Sequence, residues 1–242
     1  MHVPGKVSRF HAGFFDSVPL RSTPLRMTVN FYFSKIEDLL ASRFNAGIRR
    51  IGEIVIREKF ELRHHADEGR EELQLFHKVE DAREIAQYDE AGNFRPLKTA
   101  PNLRRGWKLV LRDVREVRAA IDFFYPAMLG ILHAHESGVL RPVNLRETLQ
   151  RQSGMYAVTK KISDAQAEAV IGNFCRSDGG CLKTILWKIA PQTPINSLPQ
   201  AKFDPAANQL GDSVPALPML CHEACNLLVA ETRKKMKMTK AE

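Results

Sequence analysis

The sequence has few of the features that mark the common protein classes. Only 8% of its 242 residues are aromatic and only four are cysteine. No apolar run approaches the roughly 20 residues that a membrane-spanning helix requires, so the sequence predicts no membrane partner. We find no Walker sequence, no dinucleotide-binding glycine fingerprint and no G-x-S-x-G motif. Internal repeats and low-complexity segments are also lacking.

The formal net charge of +8 is spread unevenly along the chain. Residues 1–26 are rich in Lys and Arg and hold a single acid, and the tail from Arg233 reads "RKKMKMTK". We predict that residues 1–26 are a disordered or over-extended leader ahead of Met27. Basic ends of this kind are weak evidence for a nucleic-acid partner, so we do not predict nucleic-acid binding as the main function.

Hydrophobic periodicity predicts a mixed domain over residues 27–152. We expect a strand at "TVNFYF", a helix from Ser34 to Gly47, and a strand at "EIVIREKFELRHHAD" that forms a hairpin with "ELQLFHKV". A helix in "KVEDAREIAQYDEAGNF" that stops at "AGN" and a strand at "WKLVLRD" follow. The pattern then predicts a helix interrupted at Pro126, and another that Asn144 caps.

A different texture begins near residue 153 and predicts a mainly helical domain over residues 153–242. A helix capped by Ser163 leads to Cys175, and "CLKTILWKI" has apolar residues at helical spacing. Residues 191–219 contain six prolines, which predicts an irregular excursion. The last helix is expected to start between Pro218 and Cys221 and to run through "HEACNLLVAETRKK".

The four cysteines form two close pairs in sequence: Cys175 with Cys181, and Cys221 with Cys225. Without an export signal we expect a reducing cytoplasm, where stable disulfides are rare. Four thiolates suit an iron-sulfur cluster or a structural zinc ion. The intervals of five, 39 and three residues are loose for a zinc knuckle and favour the larger [4Fe–4S] cluster, but zinc remains open.

The predicted helices give these thiols a specific setting. Cys221 and Cys225 would lie one turn apart on one helix, and Cys181 would begin another helix, where free N–H groups favour a thiolate. Lys183 and Lys188 flank the region and could balance a negative cluster, although solvated lysines are the simpler interpretation.

Other residues suggest sites more weakly. His222 lies inside the second cysteine pair, but an exposed helix histidine is the simpler interpretation. Two histidine groups adjoin carboxylates, yet adjacent residues do not converge on a helix, so we do not predict a metal there. A basic segment around Trp107 could bind phosphate or tetrapyrrole carboxylates, although a charged loop anchored by the tryptophan is favoured. The two histidine groups are His64 and His65 with Asp67, and His133 and His135 with Glu136. The basic segment contains Arg95, Lys98, Arg104, Arg105 and Lys108.

Two stretches resemble a known bacterial family. "CRSDGGCLKTILWKI" with "PMLCHEACNLLVAETR" resembles a four-cysteine [4Fe–4S]-binding domain often attached to sirohydrochlorin-chelatase-like (CbiX-type) proteins. "AREIAQYDEAGNFRPLKTAPNLRRGW", continuing to "LRETLQRQSGMY", resembles the domain that stabilises it. The resemblance implies Cys175, Cys181, Cys221 and Cys225 as cluster ligands. Because only the basic leader precedes Met27, we expect no chelatase domain and transfer no chelatase activity.

The sequence therefore predicts an α+β protein with a mixed N-terminal domain packed against a mainly helical cluster-binding domain. The predicted function is electron transfer or redox sensing with a partner protein, in the cytoplasm, with a link to tetrapyrrole (cobalamin or siroheme) metabolism suggested by the family. The alternative is a non-redox binding module with a structural zinc or structural cluster that contacts nucleic acid through its basic segments. A third interpretation is an enzyme with one open iron, against which four available cysteines argue.

Overall fold

The structure, a computed structural model, describes residues 22–95, 103–175, 181, 183–194 and 216–238, with side chains from residue 34 onward. The chain divides into two compact units, Met1–Lys35 and Ile36–Glu242, and apart from the first part of helix α1 the features below lie in the second. None of the described helices is long and apolar enough to span a bilayer.

Fifteen helices and strands are described within these ranges, of mixed type. They are α1 (Ser22–Asn45), β1 (Arg50–Ile51), β2 (Ile54–Ile56), β3 (Glu61–His64), β4 (Gln74–Phe76), α2 (Asp81–Gln87), β5 (Trp107–Val110), α3 (Val114–Phe124), α4 (Met128–Glu136), α5 (Leu145–Gln150), α6 (Asp164–Phe174), β6 (Thr184–Ile185), β7 (Ala216–Leu217), β8 (Leu220–Cys221) and α7 (Asn226–Met238). Short 3-10 segments cover Glu58–Phe60, His65–Asp67 and Gly154–Lys161.

A six-stranded mixed sheet with the strand order β4-β5-β3-β2-β1-β7 is built mainly from the first half of the chain, and β7 is contributed by the second half. β1, β2, β3 and β5 pair antiparallel, whereas β4 joins β5 and β7 joins β1 in parallel. Ile54, Leu62 and Leu109 are fully buried. The ring of Trp107 stacks on Phe124 of α3 with centroids 5.2 Å apart, so helix and sheet share one apolar core.

The turn between β1 and β2 requires glycine at position 52. Gly52 has φ +54°, and a Cβ there would lie 2.7 Å from both Met219 Sδ and the Tyr125 ring. A side chain would therefore be strained by its backbone and would also collide with two buried neighbours. The close approach brings the sheet against the chain that leads into β8.

The second half of the chain is mainly helical. The Asn144 side chain caps α5 by accepting from the Arg146 N–H at 2.8 Å, and Ser163 with Gln166 forms a capping box on α6. α7 packs against α6 and the 3-10 segment Gly154–Lys161. β6 and β8 pair in parallel beside them. The α+β fold and its helical second half thus match the prediction, as do both caps.

Several local predictions for the first half are wrong. "TVNFYF" lies within α1 and forms no strand, because six alternating residues next to a strong helix signal do not fix the period. The "EIVIREKFELRHHAD" segment breaks into β2 and β3, with left-handed backbone at Lys59 and Phe60 between them. β4 does not form a hairpin with β3 but pairs in parallel with β5.

Predictions near the cysteines also need correction. "CLKTILWKI" contributes strand β6, and the last helix starts at Asn226, so Cys221 lies in a strand. The β-branched residues Thr184 and Ile185 favour a strand in this short apolar run. The strand is defined by its pairing with Leu220–Cys221, which a local pattern does not reveal. Most of the proline-rich excursion, residues 195–215, lies outside the described residues, as do residues 1–21 of the predicted leader, whereas residues 22–26 lie in α1.

Candidate metal centre

The four cysteines line one pocket in the second half of the chain. Its other lining residues are Phe174, Lys183, Ile185, Trp187 and Leu228. None of the four described cysteines forms a disulfide; Cys175 is buried and the rest are half-buried. Cys175 belongs to the apolar core that α5, α6 and α7 share, and Cys221 and Cys225 pack against this core. The structure thus brings together residues that are up to 50 positions apart in the sequence.

Three of the four cysteines lie in or next to different elements. Cys175 ends α6, where its N–H donates to the Ile171 carbonyl at 2.8 Å. Cys221 sits in β8 opposite Ile185 of β6. Cys225 immediately precedes α7, and its Sγ accepts from the Leu228 N–H at 3.4 Å, which satisfies a free donor of the first turn.

The helix start near a thiol is therefore at Cys225. The prediction that Cys181 begins a helix is wrong, because Lys183 and the strand β6 follow it. Cys221 and Cys225 also do not share a helix: one ends a strand and the other begins a helix, with a bend between them. The four-residue spacing reflects this strand-to-helix junction, and the thiols still face the same pocket.

The surroundings of Cys221 determine the pKa of its thiol. Burial raises the pKa of Cys221 to about 11, and the nearby Cys181 and Cys225 add to the rise, whereas Lys183 and the Trp187 hydrogen bond oppose it. The buried Trp187 donates from Nε1 to Cys221 Sγ at 3.3 Å, and the thiol donates to the Glu223 carbonyl at 3.1 Å. A thiolate here therefore needs a cation or metal to stabilise it.

The pocket chemistry fits a thiolate-bound cofactor. Four sulfur donors converge, two accept N–H hydrogen bonds, and Lys183 is the only ionic side chain among the described lining residues. This donor set suits an iron-sulfur cluster or zinc. The enclosed space is about 30 Å³, room for no more than a few water molecules, so a larger group requires the lining side chains to move apart. Among the residues described, no group of three or more His, Cys, Asp or Glu is arranged to hold a single metal ion.

The other histidines do not line this pocket. His222 follows β8 in a loop rather than a helix, and its carbonyl accepts from the Val143 N–H at 3.3 Å. His64 Nδ1 accepts from the Ala66 N–H at 3.0 Å, which ties the ring to its own turn. His133 and His135 lie on α4, as their context predicted.

The basic segment divides into buried and surface residues. Arg95 is buried, and Trp107 is buried and donates from Nε1 to the Arg104 carbonyl at 2.6 Å. The Arg104 guanidinium lies 6.0 Å from the Phe76 ring centroid. The tryptophan therefore anchors strand β5, and Lys98 lies outside the described residues.

Two features escaped the sequence reasoning. Trp187 was not singled out, although a tryptophan six residues after Cys181 was the available signal. A buried polar cluster of Arg50, Glu53, Arg95 and Tyr125 was also missed. These four residues are scattered over 76 positions, and no local pattern joins them.

Comparison with known proteins matches both halves. Residues 39–138 match the family model described as the DR2241 stabilising domain. Residues 137–234 match that of a 4Fe-4S iron-sulfur cluster binding domain. These matches meet at residues 137–138, whereas the change in sequence texture predicted a boundary at 152–153, which stays a prediction. A comparison with curated proteins finds no match.

The crystal structure of DR2241 from Deinococcus radiodurans is similar to this fold, with a TM-score of 0.67 and 29% sequence identity. It is described as a multi-domain protein with structural similarity to chelatases and two additional novel domains. The match covers 86% of this chain and 42% of that protein, so this chain spans less than half of its relative. Residues 39–234 of the chain are therefore similar to a DR2241 stabilising domain followed by a 4Fe-4S iron-sulfur cluster binding domain, the arrangement that its motifs indicated.

Proposed function

We propose that Cys175, Cys181, Cys221 and Cys225 ligate a [4Fe–4S] cluster and that the protein is an accessory electron-transfer protein. The convergence of all four thiols on one pocket carries this proposal. The pocket lies within residues 137–234, which match a cluster-binding domain. A cluster bound there would supply a one-electron carrier.

The surrounding residues are suited to holding and tuning such a group. Trp187 and the Leu228 N–H each donate to a cysteine sulfur, and donors of this kind help to set a reduction potential. Phe174 and Ile185 line the pocket with apolar surface and limit water. Lys183 adds one positive charge, which offsets the negative charge of bound thiolates.

A role beside tetrapyrrole chemistry is part of the same proposal. Its support is the likeness to DR2241, which is described as similar to chelatases. We propose a redox partner protein for the cluster and a reducing, cytoplasmic setting, which is favoured by four described cysteines that form no disulfide.

The alternative is a structural metal site, either zinc or a cluster that does not cycle. The junction that carries Cys221 and Cys225 favours it, because three intervening residues are typical of a zinc knuckle. Nucleic-acid contact through the basic stretch from Arg233 has weaker support than the metal site, because Arg233 already has contacts within the fold. Arg233 donates to the Met155 carbonyl at 2.9 Å and lies over the Tyr156 ring.

Metal analysis of protein purified without oxygen tests the proposal. We expect about four irons and four acid-labile sulfides per chain, and a brown colour that bleaches with dithionite. Cys181→Ser and Cys225→Ser should lose most of the iron, whereas the control Met236→Leu, in the same core, should retain it. One zinc without sulfide would instead establish the structural alternative.

A redox titration then separates the two roles of a cluster. Reversible one-electron reduction within about −700 to +450 mV is expected for a carrier. A cluster that is required for folding but stays unreduced throughout this range would contradict electron transfer and leave a structural function.

A further inference from the structure

A second polar centre lies in the sheet half, separate from the cysteine pocket. It contains Arg50 of β1, Glu53, Arg95 and Tyr125, none of which is more than 5% exposed. The Tyr125 hydroxyl accepts from the Glu53 N–H at 2.8 Å and lies beside Gly52. The hydroxyl is therefore fixed against the β1–β2 turn, which follows the strand that contains Arg50.

The two arginines have more hydrogen-bond donors than partners. Arg50 Nε donates to the Gly52 carbonyl at 2.8 Å, and Arg95 Nη1 donates to the Ala86 carbonyl at 3.1 Å. Within the described part of the chain, Arg50 Nη2 and both Nε and Nη2 of Arg95 are buried and have no partner. Buried donors without acceptors are rare and destabilising, so such a group indicates a missing acceptor.

Charge accounting favours an anion as that acceptor. The cluster buries two guanidinium groups and one carboxylate, that of Glu53. Glu53 Oε2 already accepts from the Leu103 N–H at 3.0 Å, and Oε1 lies 3.5 Å from His64 Nε2. Burial lowers the pKa of Arg50 and of Arg95. Tyr125 and Glu53 oppose this shift at both arginines, as do Glu68 at Arg50 and Asp89 at Arg95. Among the described buried side chains of this cluster, guanidinium groups therefore outnumber carboxylates by two to one, and burying the additional positive charge is costly without a counter-ion.

An open pocket borders the segment that carries Arg95. It measures about 440 Å³ and is lined by Tyr88, Asp89, Glu90, Gly92, Arg104 and Arg105. Arg95 is tied to its wall, because the Arg95 N–H donates to the Gln87 carbonyl at 2.9 Å and residue 94 bridges to residue 88. A small ligand in this pocket meets two arginine and two carboxylate side chains.

We propose that Arg50 and Arg95 form a binding site for a small oxyanion, carried by a carboxylate or phosphate group. Its oxygens accept from the unpartnered N–H groups, since a guanidinium presents donors in a planar fork that matches both groups. The anion also balances the extra positive charge. A buried water could satisfy the donors but not the charge, which is why we favour an anion. This site is independent of the cluster.

The test measures thermal unfolding of the full chain, purified without oxygen, in sodium phosphate, sodium acetate and sodium chloride at one ionic strength. We expect phosphate or acetate to raise Tm saturably, by roughly 5–10 °C at 100 times Kd, and chloride to have no such effect. A response to phosphate alone identifies a phosphate group, and a response to acetate alone a carboxylate. If neither anion exceeds chloride, the proposal is overturned.

Two variants exclude a general salt effect. Arg95→Lys keeps the charge but loses the planar fork, and it should weaken binding at least tenfold. The control is Arg63→Lys, because Arg63 is also buried but is paired with Glu61 and with backbone carbonyls; it should bind the anion as the wild type does. Equal affinity in Arg95→Lys would overturn the site. If Arg95→Lys does not fold, Arg50→Lys replaces it. Binding of phosphate to the wild type and to Arg50→Lys is then compared by the line broadening of the phosphorus NMR signal, and equal broadening would overturn the site.

Discussion

The two halves of this protein solve the problem of a stable core differently. In the sheet half, β2, β3 and β5 bury Ile54, Leu62 and Leu109 completely, and α3 covers them. In the cysteine half, the strands are two residues long, and part of the core surface consists of thiols around a pocket.

This difference shows where each half obtains its stability. Apolar burial can stabilise the sheet half by itself. The cysteine half directs polarisable sulfur atoms and two N–H donors towards a space that side chains do not fill. We therefore expect the cysteine half to depend on its metal centre and the sheet half to fold without it.

Removal of the metal centre is the strongest way to test this contrast. After iron is stripped with a chelator, amide hydrogen exchange should accelerate by orders of magnitude in α6, α7 and β8, because binding energy of a metal centre is folding energy. β2, β3 and β5 should keep their protection. Equal loss in both halves would show that they form one cooperative unit.

Matched cavities in the two cores should separate stability from metal binding. Leu62→Ala, in β3, and Leu228→Ala, at the pocket, remove the same atoms from sites at 0% and 1% exposure. Each should lower the free energy of unfolding by about 2–5 kcal/mol in urea titrations. Only Leu228→Ala should also lower the iron content per chain. Iron loss in Leu62→Ala would contradict the separation.

Acid should destabilise the sheet half through His65. Burial lowers the pKa of His65 to about 4, and the charges of His64 and Arg50 contribute. Between pH 6.5 and pH 4 the unfolded chain therefore binds a proton that the folded chain does not. The free energy of unfolding should fall, as pH falls through this window, by up to about 1.4 kcal/mol per pH unit.

Urea titrations at pH 7, 6 and 5 measure this slope. His65→Gln should reduce it, whereas His77→Gln, at an exposed position, should leave it unchanged. An unchanged slope in His65→Gln would assign the effect to other groups.

The smallest effect concerns the potential of the cluster. Trp187→Phe removes the hydrogen bond to Cys221 Sγ, which stabilises the more negative reduced state. A bond worth about 0.5–1.5 kcal/mol corresponds to about 20–60 mV for one electron, so the potential should fall by that amount.

Trp107→Phe is the matched control, since Trp107 is also buried but donates to the Arg104 carbonyl. It should leave the potential unchanged. Equal potentials in wild type and Trp187→Phe would show that this hydrogen bond does not tune the centre.

Local signals in the sequence predicted the helices best. Pro126 separates α3 from α4, and Asn144 and Ser163 cap α5 and α6 as expected, because caps and breakers act through neighbouring backbone groups. Strands β6 and β8 were missed, since two-residue strands exist only through pairing with each other. Their identity depends on contacts between residues about 36 positions apart, which no short window contains.

The candidate sites show the same limit. Cysteine is rare and chemically specific, so four thiols indicated a shared centre before any geometry was known. Their backbone setting was wrong, because Cys221 lies in a strand and only Cys225 meets a helix. Arg95 was noted only as part of a basic segment and Arg50 gave no signal, since charged residues are common and their burial arises only when the sheet forms.

The pairing of β7 with β1 links metal loss to self-association. β7 covers the outer edge of β1 through Ala216 and Leu217, and Cys221 follows four residues later on the same segment. If that segment detaches when the thiols lose their metal, the backbone donors and acceptors of β1 become available to another chain. Uncovered strands pair readily across molecules, so we expect the metal-free protein to aggregate or exchange segments between copies.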